Sequence, residues 1–225
     1  MEIIKPHHKV SAKVSRKNLS FVLKEAYEMI KFIDENNAKG FSGHWKHAVA
    51  LSHCQVSENP VKMFVVARDI INPVEISRNA NYINYYFKDR IIFNARIIEA
   101  RDEIQKVVPK RELKPIPNSK EFTVAVSKET KMISNLIRVT DGCMSYPYRS
   151  EKKTTRYYKI KVKYQVLRSF LGFKYLKTIT EDIEAHKAHV FQHEVDHSFG
   201  IDIIHGNGND KDVVKPYKNI CLNTN

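Results

Sequence analysis

The stretch Gln192-His193-Glu194-Val195-Asp196-His197 decides how this chain is read. It sits in a segment that scans as a helix, from Thr180 through Ala185, Ala188, His189 and Phe191 to Ser198. Thr180 is placed to cap that helix, Glu181, Asp182 and Glu184 suit the positive end of its dipole, and Gly200 suits its C-terminal stop. Helical residues four apart share a face, so the imidazoles of His193 and His197 can grip one metal ion. Glu194 is turned sideways, near enough to act on a water at that metal but not to fill its ligand shell. A histidine-rich solvated helix carries the same letters, so the stretch needs a third ligand to decide the matter.

A divalent metal at a catalytic site takes three protein ligands and keeps one position open. Downstream, His205 lies eight residues after His197, too far for metzincin spacing, and no acid-bearing helix follows. A protease reading loses support there. Upstream, Asp141-Gly142-Cys143-Met144-Ser145-Tyr146-Pro147 sets a cysteine between a glycine and a turn-prone Ser-x-Pro. Cys143 alone reads as a small buried hydrophobe. Taken with the two histidines, it makes a thiolate-plus-two-imidazole set with one position left for water.

Further out, Leu19, Val22, Leu23, Ala26, Met29, Ile30 and Ile33 recur at helical spacing, and Asn36 to Gly43 break the pattern. Short strands are predicted at Val61–Val66, Ile91–Ile98, Phe122–Val126 and Leu136–Val139, then a pair at Tyr157–Val166 and Phe170–Ile179. Ser77 to Arg90 and the proline-bearing Val108 to Lys120 read as long loops. One ordered domain is expected over residues 15–205, with a solvated basic lead-in at 1–14 and a polar tail at 206–225.

The chain has 225 residues, enough for one sizeable core, and a formal net charge of +13. Its hydrophobic content of 42% is too high for a disordered chain. No apolar run approaches the roughly 20 residues that span a bilayer, and no secretory signal is readable. Three widely spaced cysteines, Cys54, Cys143 and Cys221, are a poor disulfide framework and point to a reducing compartment. Between Arg149 and Lys177 lie ten Lys/Arg and one acid, Glu151, a net +9. There Ile160, Val162, Tyr164 and Val166 alternate with Lys159, Lys161, Lys163 and Gln165, a strand with an apolar and a basic face. That basic face reads either as a solvated surface or as a nucleic-acid contact.

At these residues the sequence resembles the peptide deformylase family. Its three motifs are Gly-x-Gly-x-Ala-Ala-x-Gln, Glu-Gly-Cys-Leu-Ser and Gln-His-Glu-x-Asp-His. Residues 192–197, QHEVDH, match the third throughout, and residues 141–145, DGCMS, match the second with Asp for Glu and Met for Leu. Residues 48–55, AVALSHCQ, keep only Leu51 and Gln55 of the first, and Phe93 to Ile98 look like the strand that follows it. The first motif's glycines become Ala48 and Ala50, its alanines Ser52 and His53, and Cys54 falls at its variable position. The stretch from Ile98 to Asp141 is longer than the family's connection and is expected to form a loop or hairpin near the cleft.

The resemblance implies an α+β fold, with mixed and antiparallel sheets around a central helix bearing the HExxH motif and a further helix N-terminal to them. It implies a hydrolase that removes the formyl group from N-terminal formyl-methionine of nascent peptides. In it Cys143, His193 and His197 hold one divalent metal, Fe(II) favoured, with Zn(II), Ni(II) and Co(II) compatible. Hydroxide generated at the metal attacks the formyl carbon, with Glu194 as general base and then acid. Gln55 and the backbone N–H of Met144 meet the oxyanion. Ala50, Val190 and His189 are candidates for the substrate pocket, and an Asp141–Arg156 pair is expected to hold the cysteine loop. Two other readings stand beside it. One is a divergent hydrolase of another amide. The other is a non-catalytic, basic ribosome- or nucleic-acid-binding protein on the same fold. The implied setting is a bacterial-type cytoplasm, a virus in a bacterial host or an organelle. Partners reduce to the formyl-methionyl peptide and the ribosome, reached through the basic strand face, with no membrane and no stable protein partner.

Overall fold

The computed structural model describes residues 1–4, 10–38, 48–67, 87–115, 117, 122–146 and 152–203. The tail at 206–225, most of the Ser77–Arg90 loop and residues 39–43 lie outside them, while Asn36 to Ala38, expected to break the first helix, are still part of it. Helix α1 spans Leu19–Ala38. Among the described residues nine strands follow: β1 (Ala50–Ser52), β2 (Met63–Val66), β3 (Ile91–Glu99), β4 (Glu103–Pro115), β5 (Phe122–Ser134), β6 (Leu136–Asp141), β7 (Lys152–Tyr157), β8 (Lys159–Phe170) and β9 (Phe173–Glu184). Helix α2, Ala185–Ser198, comes after them. Strands β1-β2-β3-β8-β9 form an antiparallel sheet in that order, while β4–β5 and β6–β7 are two-stranded ribbons.

The sheet lies between the two helices, which is why β2, Met63-Phe64-Val65-Val66, is buried on both faces. Met63 and Val65 pack with Leu23, Ala26, Met29 and Ile33 of α1. Phe64 and Val66 pack with Ala188, Phe191 and Val195 of α2, and Phe64 meets Phe191 edge-to-face at 5.8 Å. Strand β3 changes phase midway. Ile92 faces α2, yet so do Ala95 and Ile97, because Asn94 adopts a left-handed φ of 50° in a register shift. Asparagine tolerates that conformation, and its amide is held by Val14 N, Val14 O and Gln165 Oε1.

Several expectations need correction. Strand β9 continues through Thr180 to Glu184, so α2 begins at Ala185 rather than near Thr180. The acids read as helix-dipole partners serve the strand ladder instead: Glu181 accepts from Tyr164 Oη at 2.7 Å and Lys187 Nζ at 2.8 Å. Ala185 turns the chain with φ 56°, and Gly200, at φ 74°, follows the helix as expected. The proline-bearing stretch from Val108 is strand, not loop, as far as Pro115. A two-stranded ribbon leaves an open edge on each strand, where a missing proline N–H breaks no ladder bond. The basic lead-in is not wholly solvated. Ser11 N donates to Ser198 O, Ala12 bridges Val61, and Val14 is buried.

The β4–β5 ribbon is exposed along most of its length and is rooted by one buried side chain, Asn135. Asn135 Nδ2 donates to Arg101 O and Lys159 O, and its Oδ1 accepts from Lys159 N at 2.8 Å. Its backbone bonds Asp102 O and Tyr158 N. These anchors tie the ribbon to the start of β8, and they involve no residue of the Cys-His-His cluster.

Candidate metal centre

Two elements bring the donors together. β6 ends at Asp141, so Cys143 follows where the chain leaves the β6–β7 ribbon. Helix α2 presents His193 and His197 one turn apart on a buried face. His193 Nε2 and His197 Nε2 lie 3.1 Å apart, and Cys143 Sγ is 3.3 Å from His197 Nε2. All three donor atoms fall within 4.8 Å of one another. Metal–nitrogen bonds near 2.05 Å and a metal–sulfur bond near 2.3 Å in a tetrahedron would space such donors by about 3.3–3.6 Å. The donor set and its spacing therefore fit one divalent ion.

Asp141 organises this centre. Its Oδ1 sits 2.8 Å from His193 Nδ1, which puts the ring proton on Nδ1 and leaves the Nε2 lone pair toward the other donors. Its Oδ2 accepts from Arg156 Nη2 at 2.6 Å, Arg156 Nε at 3.2 Å and Thr154 Oγ1 at 3.1 Å. Arg156 is fully buried, and its Nη1 donates to Asp196, so one guanidinium ties the cysteine ribbon to α2. Burial alone would raise the Asp141 carboxyl; His193, His189 and Arg156 hold it well below the carboxylate range. Burial likewise opposes a Cys143 thiolate, but His197 and His193 pull the thiol down to about 5.

Glu194 is buried beside the centre, and burial raises its carboxyl above the ordinary value against the opposing pull of His193 and His197. Ser52 Oγ donates to Glu194 Oε2 at 2.5 Å. Gln55 is oriented by Ser52 N, which donates to its Oε1 at 2.8 Å. That leaves Gln55 Nε2 to reach Cys143 Sγ at 3.4 Å and Ser145 Oγ at 3.0 Å. Met144 is half-buried beside Cys143.

Ala50, Val190 and His189, read as pocket walls, are buried or half-buried. Ala50 and Val190 are buried in the core on the α2 side of the sheet, and His189 turns its Nε2 toward Asp141 Oδ1 at 3.2 Å. His53 is a core histidine. Its Nδ1 accepts from Val61 N, so Nε2 carries the proton and donates to Glu25 at 3.1 Å. Cys54 is buried, and burial together with nearby Glu194 pushes its thiol up, away from ligand chemistry. Sequence reasoning assigned no role to Ser52, Ser145, Thr154 or Asp196. Ser145 and Asp196 stand inside the motifs already singled out, and Ser52 was visible as a hydroxyl where the resembling family has a methyl. A polar cleft of about 610 Å³ at the root of the β4–β5 ribbon, lined by Glu99, Arg101, Glu103, Lys161 and Asp182, includes no residue of this centre.

Among solved structures, the Met-Ala-Ser-bound class I type b peptide deformylase from Acinetobacter baumannii is similar at 20% identity. The match covers 91% of this chain and 98% of that one, with a TM-score of 0.52. The actinonin-bound form from the same organism matches at 17% identity over 90% and 97% of the two chains, TM-score 0.51. A peptide deformylase from Plasmodium falciparum matches at 21% identity over 98% and 95%, TM-score 0.47. No curated protein matches the sequence. The sequence profile described as polypeptide deformylase matches residues 2–211. Since that match takes in both helices, the whole sheet and both ribbons, the chain belongs to the polypeptide deformylase family, in which a divalent metal serves hydrolysis.

Proposed function

We propose that this protein removes the formyl group from peptides that begin with formyl-methionine. One observation carries the reading: Cys143, His193 and His197 converge while Glu194, which is no donor to that cluster, is buried against it with its carboxylate oriented. A chain kept only for binding has no use for an oriented carboxylate there. The metal, when bound by Cys143 Sγ and the two Nε2 atoms, supplies the Lewis acid that makes water nucleophilic near neutral pH. Fe(II) is the favoured ion by family resemblance, and the donor set also suits Zn(II), Ni(II) and Co(II).

The chain's own residues do the rest. Glu194 accepts the proton of the attacking water and delivers it to the amine that leaves. Gln55 Nε2 and the Met144 N–H donate to the oxyanion as the formyl carbon becomes tetrahedral. Asp141 keeps the His193 proton on Nδ1, and Arg156 holds Asp141 in place. Formate and a free methionyl amine are the products. The Acinetobacter relative bound to Met-Ala-Ser supports this substrate class, since that tripeptide is what deformylation of formyl-Met-Ala-Ser leaves. The test is formate release from formyl-Met-Ala-Ser by protein loaded with Fe(II) or Ni(II). Turnover supports the reading; no turnover at full metal occupancy overturns it.

A further inference from the structure

The β8–β9 ribbon ends in an apolar point. Its inner face carries Ile160, Val162, Tyr164 and Val166 into the core, is interrupted by Arg168, and ends at Phe170 and its cross-strand partner Phe173, both exposed. Between them, Leu171 and Gly172 form the two-residue turn, both at positive φ, 47° and 82°. Such a turn ordinarily carries Asn-Gly or Gly-Gly, because a larger side chain is held there against its steric preference. Here the apex is a leucine, 81% exposed, flanked by Phe170 at 68% and Phe173 at 74%. A strained apex that displays a large apolar side chain is a feature with a use outside the fold.

The charge around the point is one-sided. Lys174 and Lys177 are exposed, and among the described residues no carboxylate pairs with either. Lower on the ribbon Lys161 lies opposite Asp182 and Glu99 and Lys159 opposite Glu184, whereas Lys163 lies opposite Thr180 and Arg96. Arg168 is likewise engaged by Asp89. At the apolar end the charge that acts outward is therefore that of Lys174 and Lys177. Apolar side chains ahead of a lysine collar match the layered chemistry of an anionic bilayer surface, hydrocarbon beneath phosphate.

We infer that the tip of the β8–β9 ribbon, Phe170 to Phe173 with Lys174 and Lys177, is a wedge that seats this protein on anionic lipid membranes. The contact is interfacial. It needs no spanning segment, and no helix among the described residues is long and apolar enough to cross a bilayer. A second copy fits the surface less well, because the three apolar side chains offer roughly 450 Å² where a stable dimer asks about 800 Å² of each partner. Stacked RNA bases fit less well too, since the foremost side chain, Leu171, has no aromatic face and stands ahead of the rings of Phe170 and Phe173. The inference does not depend on the proposed activity.

Flotation of the full-length protein tests it, with vesicles of phosphatidylcholine alone and of phosphatidylcholine with one-third phosphatidylglycerol. Wild type should float with the anionic vesicles and stay below with the neutral ones. Leu171→Asn restores the favoured Asn-Gly turn, so its Tm should match or exceed wild type while its partition coefficient falls about tenfold or more. Lys174→Ala and Lys177→Ala should each cost about fivefold. Wild type that remains below with both vesicles, or Leu171→Asn that floats as well as wild type, overturns the wedge. So does a Leu171→Asn protein that loses binding to an RNA oligonucleotide yet floats unchanged.

Discussion

Ser52 and Glu194 are 142 residues apart in the chain, and the hydroxyl of one lies 2.5 Å from the carboxylate of the other. The same hydroxyl is 3.3 Å from the Glu194 carbonyl oxygen, so β1 and α2 are pinned at the residue proposed to move the proton. Ser52 stands where the motif that the sequence resembles has an alanine, which has no hydroxyl to donate.

Ser52→Ala should therefore release one carboxylate oxygen of Glu194. A hydrogen bond to a charged, buried group is worth about 1.5–3 kcal/mol. Only part of that belongs to catalysis, so kcat should fall about three- to tenfold, with KM and metal content unchanged. A fall in metal content instead would show that Ser52 supports the ligands rather than Glu194.

Arg156→Ala removes a fully buried guanidinium and leaves Asp141 and Asp196 facing each other without it. Breaking a buried pair in this way costs about 3–5 kcal/mol. The expected result is a lower Tm together with reduced metal occupancy by elemental analysis, because Asp141 also holds His193. Metal content equal to wild type would separate the salt bridge from the centre.

Among the described residues, Cys143 should be the reactive thiol of the metal-free protein. With its thiol pulled down to about 5, it is thiolate at pH 6, where an ordinary cysteine is almost wholly protonated. Iodoacetamide at pH 6 should label Cys143 in the metal-stripped protein, slow down below pH 5, and be blocked by reloading the metal. Cys54, buried and pushed the other way, should stay unlabelled in the folded state. Labelling of Cys143 that is indifferent to metal would contradict its place as a ligand.

Asn135→Ala tests the root of the β4–β5 ribbon. It deletes three side-chain hydrogen bonds at a buried site, so a loss of about 2–4 kcal/mol is expected. Limited proteolysis should then cut within β4–β5 while metal content is kept, since the ribbon's anchors avoid the centre. Coupled loss of metal would show that the ribbon supports the site.

Much of this was legible in the residues and some was not, for physical reasons. Period-two alternation from Ile160 to Val166 read correctly because one face is buried and the other is not. The α1 stripe read correctly for the same reason at helical period. Thr180 to Glu184 misled because acids that would suit a helix start also satisfy a strand ladder, and only the partners Tyr164 and Lys187 decide between them. The prolines after Val108 misled because an isolated ribbon tolerates them at its open edges. In the site, the spacing of His193 and His197 carries their convergence, whereas the reach of Cys143 toward them depends on where the β6–β7 ribbon ends. Ser52 had no readable signal beyond being a hydroxyl, since its partner is fixed only by tertiary packing.

In the proposed reaction Glu194 acts on a substrate formyl group beside a Cys-His-His metal. The direct measurement compares formate release from formyl-Met-Ala-Ser by metal-loaded wild type and Glu194→Ala, with metal content determined for both. Glu194→Ala keeps all three ligands, so equal metal and a rate lower by about a thousandfold are expected. A wild-type protein that holds its metal and releases no formate, or a Glu194→Ala protein as active as wild type, would contradict it.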